Sequence, residues 1–235
     1  MKLKTNTKIL LAFMFLIVLI FSQLAINHKM QSKILDNTRQ IKDVEDPLQL
    51  LSERGAGYDA RKTQLVYLAI LIAQNGNLDY PKTLKTDYYD PIVDKIISSY
   101  GNHQVETLVA QSGRTKEQKD KTVELFQKLS VTGDKVSALE TQAFEALDKK
   151  NVGLATSLVL GDDYQKYKLE MVQSTESWIA LEGEINAKIN KDIVDDSQMI
   201  IYINLIHSIV IIVILLLTLM IIRGFVTSIM LRKKD

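Results

Sequence analysis

The sequence predicts an all-α membrane protein, with two transmembrane helices flanking an extracytoplasmic antiparallel up-down-up-down four-helix bundle. Three observations predict it. Two charge-free apolar blocks stand near the ends of the 235-residue chain. The polar stretch between them places its apolar residues at helical spacing, and nothing in it alternates long enough with the period of two that marks a strand.

The first block, Ile9 to Ile26, is eighteen residues without a charge, and the second, Met199 to Ile222, is twenty-four. A spanning helix needs about 20 apolar residues, and hydrocarbon offers the backbone no partner but itself, so each block must be helical. The first block, behind a basic start, could instead be a cleaved signal peptide. A cut after Ala25 would put Gln23 where a small residue is expected, so it reads as an uncleaved anchor. Lys2, Lys4 and Lys8 precede the first block, and Arg223, Arg232, Lys233 and Lys234 follow the second. The positive-inside rule then puts both termini in the cytoplasm of a two-span protein of the cell membrane. The expected division is 1–8 as N-terminus, 9–27 as first span, 28–198 as outer domain, 199–222 as second span and 223–235 as a short basic tail. Asn204 and His207 lie near the outer end of the second span. They read as a headgroup-level anchor or a dimer hydrogen bond in preference to a functional site.

Inside the outer segment the clearest helix carries Tyr164, Tyr167, Met171, Ser174, Trp178, Leu181, Ile185 and Ile189 at spacings of three and four, a seam that buries one face. No breaker follows, so this helix is expected to run directly into the second span. A second seam is Leu125, Leu129, Thr132, Val136, Leu139, Ala143 and Ala146. Asp90-Pro91 reads as an N-cap with proline at the first helical position, opening a helix with Ile92, Ile96, Ile97, Tyr100 and Leu108. Tyr88, Tyr89 and Asp90 are thereby expected in a loop. Asp46-Pro47 has the same form and opens or kinks a helix with Leu48, Leu51, Gly55, Tyr58, Leu65, Leu68 and Ile72. Before it, Met30, Ile34, Ile41 and Val44 keep a helical period, so the first membrane helix is expected to extend outward. Breaks are expected at Asn75-Gly76-Asn77, at Ser112-Gly113, around Asn151 and at Gly161-Asp162. Four long helices result, with a short piece at 151–160, and short loops make neighbours antiparallel.

Composition excludes several functions. Of the 29 basic and 28 acidic residues, seven basic ones and Asp235 lie at the chain ends, which leaves 22 against 27 in 28–198. That surplus of negative charge argues against a nucleic-acid partner. No cysteine is present, so disulfides and thiol chemistry are out. His28, His103 and His207 lack ligand-like spacing. With no nucleophile–base pair, phosphate-cradling loop or metal cluster, the chain reads as no enzyme and as needing no cofactor.

The layout resembles the extracytoplasmic four-helix-bundle sensor module of bacterial methyl-accepting chemotaxis receptors, whose relatives also sit on sensor histidine kinases and diguanylate cyclases. The residues that carry the resemblance locally are Ala146-Leu147-Asp148, Ala155, Leu158 and Gly161-Asp162-Asp163-Tyr164, similar to the connection between the third and fourth helices. The resemblance implies a homodimer that senses a small molecule, a binding protein or another stimulus outside and shifts its last helix against the membrane. Arg223 to Met230 is similar only to the entrance of the HAMP linker that follows in those receptors, and the linker's proline is missing. A tail of about a dozen residues holds no kinase, cyclase or kinase-coupling hairpin. The expectation is therefore an orphan or truncated sensor whose output passes through a partner. The alternative is a non-catalytic membrane scaffold that pairs with a full-length receptor.

One candidate ligand site emerges from spacing. Arg54, Tyr58 and Arg61 stand at i, i+4 and i+7, on one face of a helix, where two guanidinium groups could clamp an anion. Glu53 and Asp59 stand beside them, so a solvated charged face is the weightier reading. Trp178, Tyr164 and Tyr167 could line a pocket, but aromatics at seam spacing read first as core.

Overall fold

The computed structural model describes residues 5–100 and 104–232; His103 and the flanking charges Lys2, Lys4, Lys233 and Lys234 lie outside the described residues. Among those described there is no strand. The helices are α1 (Thr5–Gln40), α2 (Asp46–Gln74), α3 (Tyr80–Leu84), α4 (Asp90–Tyr100), α5 (Gln104–Gln111), α6 (Lys116–Asp148), α7 (Val152–Leu160) and α8 (Asp162–Arg232). Two π-helical turns, Ile41–Glu45 and Lys85–Tyr89, precede α2 and α4. The chain divides into two compact units. One is formed by the segments that end at Thr38 and begin at Ile189, the other is Arg39–Lys188.

In the first unit, α1 and α8 are long and apolar enough to cross a membrane. A core helix of a water-soluble protein would hide such a segment, but neither apolar window has any buried residue. Exposed apolar surface of this extent belongs against lipid or a partner. The two segments run antiparallel, since Gln23 and Asn27 meet Asn204 while Lys33 meets Asp196. The amides of Gln23 and Asn27 donate to Asn204 Oδ1 at 3.0 and 2.8 Å. Asn204 thus bonds to the chain's own first helix. His207 Nδ1 lies 2.9 Å from the Ile203 carbonyl of its own helix.

The second unit is built on the seams read from the sequence. Tyr164, Met171, Ser174, Trp178 and Ile185 of α8 are buried, as are Leu125, Thr132, Val136, Ala143 and Ala146 of α6. The apolar ones, Ile185 apart, belong to two clusters. The larger joins Val66, Ala69 and Ala73 of α2 to Phe144 and Leu147 of α6, Val159 of α7 and Tyr164 of α8. The smaller joins Leu48, Val105, Val109, Leu125 and Trp178. The breaks fall as expected, with turns after Gln74, Gln111, Asp148 and Leu160. Thr115 and Gln118 form a capping box at the start of α6, and the Asn151 side chain accepts from Leu154 N–H to cap α7.

Gly161 has no alternative at its position. A Cβ there would stand 2.5 Å from the Ser157 carbonyl oxygen, and backbone cannot step aside as a flexible side chain can. Gly161→Ala is expected to cost about 1–3 kcal/mol, the range for overpacking, measurable as a lower urea midpoint.

Three expectations are corrected. Asp46 and Asp90 are not N-caps, because both have helical backbone (φ −59°, ψ −45° and φ −57°, ψ −44°). A proline ring inside a helix collides with the carbonyl four residues back. Here the preceding turn widens instead, so that Asp46 N–H bonds to Ile41 O and Asp90 N–H to Lys85 O, each five residues back. Tyr88 and Tyr89 consequently lie in helical backbone and not in a loop, and Tyr89 is buried. In α2, the core face is carried by Leu48, Ser52, Lys62, Val66, Ala69, Ile70 and Ala73. Leu51, Tyr58, Leu65 and Ile72 of the expected stripe are only half-buried and Leu68 is exposed.

Candidate functional site

Arg54, Tyr58 and Arg61 sit on α2 away from its buried face, with both arginines exposed and Tyr58 half-buried. None of the three lines the cavity that the second unit contains.

That cavity, about 360 Å³, lies where the two apolar clusters meet. Helix α2 supplies Gly55, Asp59 and Lys62, and α4 supplies Val93, Ile96 and Ile97. From α6 come Phe126, Leu129, Ser130, Gly133, Asp134 and Ser137, and from α8 Met171 and Thr175. Its volume falls in the range of small-molecule pockets, about 300–1,000 Å³. The reason for the gap is in the sequence. Gly55 and Gly133 contribute no side chain where the neighbouring turns carry Leu51 and Leu129, and Ser137 is short. Ile97, Ser130 and Asp134 are exposed and form the outer rim, whereas Lys62, Met171 and Thr175 are buried. A Cβ on Gly133 would make an ordinary 3.7 Å contact with Met171 Sδ. Gly133→Ala should therefore raise stability by about 0.5–1 kcal/mol through helix propensity alone, seen as a higher melting temperature by circular dichroism.

The second unit holds two buried charge networks, the first of which shares Lys62 and Ser137 with the cavity wall. In the first, Lys62 Nζ is 2.9 Å from Glu140 Oε2 and donates to Ser137 Oγ at 2.7 Å. Tyr89 and Tyr164 each donate their hydroxyl to Glu140, at 2.9 and 2.8 Å. The Glu140 carboxylate, fully buried, thus accepts from three groups on three elements. Burial first, and then the charge of Glu140, push both phenols far above their ordinary value, so they remain hydrogen-bond donors at any physiological pH. Tyr89 reaches Glu140 from the widened turn before Pro91, its ring tilted against Phe144 at 5.0 Å.

The second network centres on Arg114, in the loop between α5 and α6. Its Nε donates to Glu45 Oε2 at 3.0 Å, and its Nη1 donates to Thr122 Oγ1 and to Glu182 Oε1 at 2.6 and 2.9 Å. Its Nη2 donates to both carboxylates. Trp178 Nε1 donates to Glu182 Oε1 at 2.8 Å. Burial draws the guanidinium downward, but the hydrogen bonds and charges of Glu182 and Glu45 outweigh that and hold it above its ordinary value. Glu45, like Tyr89, is the last residue of a widened turn ahead of a proline. Both π-turns therefore deliver a polar side chain to a buried network.

On the cavity wall, Asp59 Oδ2 accepts from Lys168 Nζ, which also donates to Thr63 Oγ1 at 2.8 Å. Asp59 Oδ1 is shut off from water and has no hydrogen-bond partner. Trp178 and Tyr164 are core, as the seam spacing suggested, and Tyr167 is half-buried under Lys135 Nζ, 4.8 Å from its ring centre. Among the described residues no group of three or more His, Cys, Asp or Glu side chains could hold a metal ion.

The fold and site define a helical protein with two helices able to cross a membrane and a largely apolar cavity, with a few polar groups on its wall, in its helical body. No protein-family model, curated protein or solved structure matches the chain.

Proposed function

We propose that the chain is a membrane-anchored extracytoplasmic sensor that takes up a small molecule in the cavity and reports it through α8. In this reading it is a non-catalytic homodimer of the chemoreceptor type. Helices α2, α4 with α5, α6 and the first part of α8 are the four members of an up-down-up-down bundle, and both termini are cytoplasmic. The observation that carries the reading is that α8 does two things. It supplies Met171 and Thr175 to the cavity wall, and the same helix contains the apolar run from Met199 to Ile222. A ligand that touches Met171 acts directly on a helix that enters the membrane, and shifts of one or two Å in such helices are an established mode of signalling. A ligand moves that equilibrium only as far as its affinities for the two positions differ.

The test is a thermal-shift screen of the full chain in lipid nanodiscs against small metabolites. It is repeated with Gly133→Leu, which fills the cavity from α6. At least one compound should raise the melting temperature of the parent chain and leave the filled variant unmoved. A screen without any shift, or shifts that survive the filling, would refute the cavity as a sensing site. Co-purification of a defined membrane partner without ligand would then favour the scaffold.

A further inference from the structure

We propose that the cavity selects a small, largely apolar molecule carrying a protonated amine, with Asp59 as its anchor. This rests on the reading of the cavity as a ligand site and adds the chemical class.

The argument starts from which polar groups on the wall are already satisfied. The Lys62 ammonium is occupied by Ser137 and Glu140, so it is neutralised by a carboxylate behind the wall. Asp59 is half-satisfied, with one oxygen on Lys168 and the other buried without a donor. A carboxylate oxygen that has lost water and found no partner is destabilising until a donor reaches it. Asp59 also lines the cavity, so an amine that enters beside it competes with Lys168 for this carboxylate.

Charge points the same way. Lys168 offsets Asp59 and Glu140 offsets Lys62, which leaves Asp134 as the uncompensated charge on the wall, and at the exposed rim it meets an incoming ligand first. An anion would be repelled at the rim and would find Lys62 engaged. A cation is drawn in and can displace Lys168 from Asp59 or share it. The remaining wall is apolar, and Phe126, edge-on to Trp178 at 5.8 Å, adds an aromatic surface that suits both an aryl body and a cation. Ammonium at one end and hydrocarbon at the other describe an aralkyl or alkyl amine.

Three probes of matched size separate the possibilities: 2-phenylethylamine, 2-phenylethanol and 3-phenylpropionate. They are titrated by calorimetry at pH 7 against the full chain in detergent micelles. The amine should bind at least tenfold more tightly than the alcohol, and the acid should give no heat. Asp59→Asn should weaken the amine at least tenfold. Because that change also strands Lys168, Lys168→Met serves as a second variant that keeps the carboxylate and removes its competitor, and it should tighten amine binding severalfold. Equal or tighter binding of the alcohol or the acid overturns the amine assignment while leaving a ligand cavity in place. Silence from all three probes, amine affinity indifferent to Asp59→Asn, or weaker amine binding by Lys168→Met also overturns it, and the Gly133→Leu screen then judges the cavity itself.

Discussion

Arg114→Met is expected to cost about 3–5 kcal/mol, the scale for removing one partner of a buried ion pair. Domains of this size hold only about 5–15 kcal/mol in all, so the variant should be largely unfolded in urea concentrations the parent withstands. The reason is the company Arg114 keeps. Glu45 and Glu182 are both fully buried, and without the guanidinium two carboxylates face each other in the interior. Arg114→Lys should rescue little, since one ammonium cannot reproduce the fork that engages both carboxylates and Thr122. A triple replacement of Arg114, Glu45 and Glu182 by apolar residues of similar volume should restore most of the loss, because the expense lies in charge left unpaired. Circular dichroism during urea titration of the three variants measures each term.

Glu140→Leu is the second large effect, again about 3–5 kcal/mol. It abandons the buried ammonium of Lys62 and leaves the hydroxyls of Tyr89 and Tyr164 without an acceptor. Adding Lys62→Met should recover the charge part, and the double-mutant cycle gives the coupling between the two. The network also sets a limit at high pH. Both phenols titrate near 10 in the unfolded chain and well above that when folded. Between those values the folded state holds protons that the unfolded state has released, so stability falls as pH rises. Below pH 10 the phenols contribute no pH dependence, and above it the protein should weaken progressively. Tyr89→Phe with Tyr164→Phe should flatten that alkaline slope while lowering stability at pH 7.

Much of this architecture is legible in the sequence because apolar periodicity reports burial directly. The seams through Val136 and Trp178 and the breaks at Asn75-Gly76-Asn77, Ser112-Gly113, Asn151 and Gly161 needed only spacing and turn chemistry. What failed is instructive in its chemistry. Apolar spacing runs the α2 stripe through Leu51, Tyr58 and Leu68, whereas the buried face includes the polar Ser52 and Lys62. Their burial depends on partners far away in sequence, and Lys62 finds Glu140 only once the fold exists. Arg54 and Arg61 stand at a telling spacing on an exposed face of α2, and spacing alone does not distinguish an anion clamp from a solvated charged face. A signal for the networks was nonetheless present. Glu140 follows Val136 by four residues and Glu182 follows Trp178 by four, so each interrupts a core seam where a carboxylate without a partner would not persist. The cavity was harder, because two glycines and a serine on different helices have no shared pattern. Asp-Pro by itself is compatible with a helix start and with a widened turn inside a helix, and here it marks the second. The hint was repetition, Asp43-Val44-Glu45-Asp46-Pro47 and Asp87-Tyr88-Tyr89-Asp90-Pro91.

Each widened turn amounts to one surplus residue inserted in an otherwise regular helix. Deleting a residue in the middle of α6 would swing everything beyond it by about 100° and turn its buried side chains to solvent. Deleting exposed Lys42 together with Pro47→Ala removes the surplus instead, and the faces of Gln40 and Leu48 keep their phase. The deletion alone would press the proline ring onto a carbonyl and cost about 3 kcal/mol. The stretches just ahead of Pro47 and Pro91 are thus places where these helices can change length by one without rotating the helix beyond them, at the expense of the contacts that Glu45 and Tyr89 make from the turn itself.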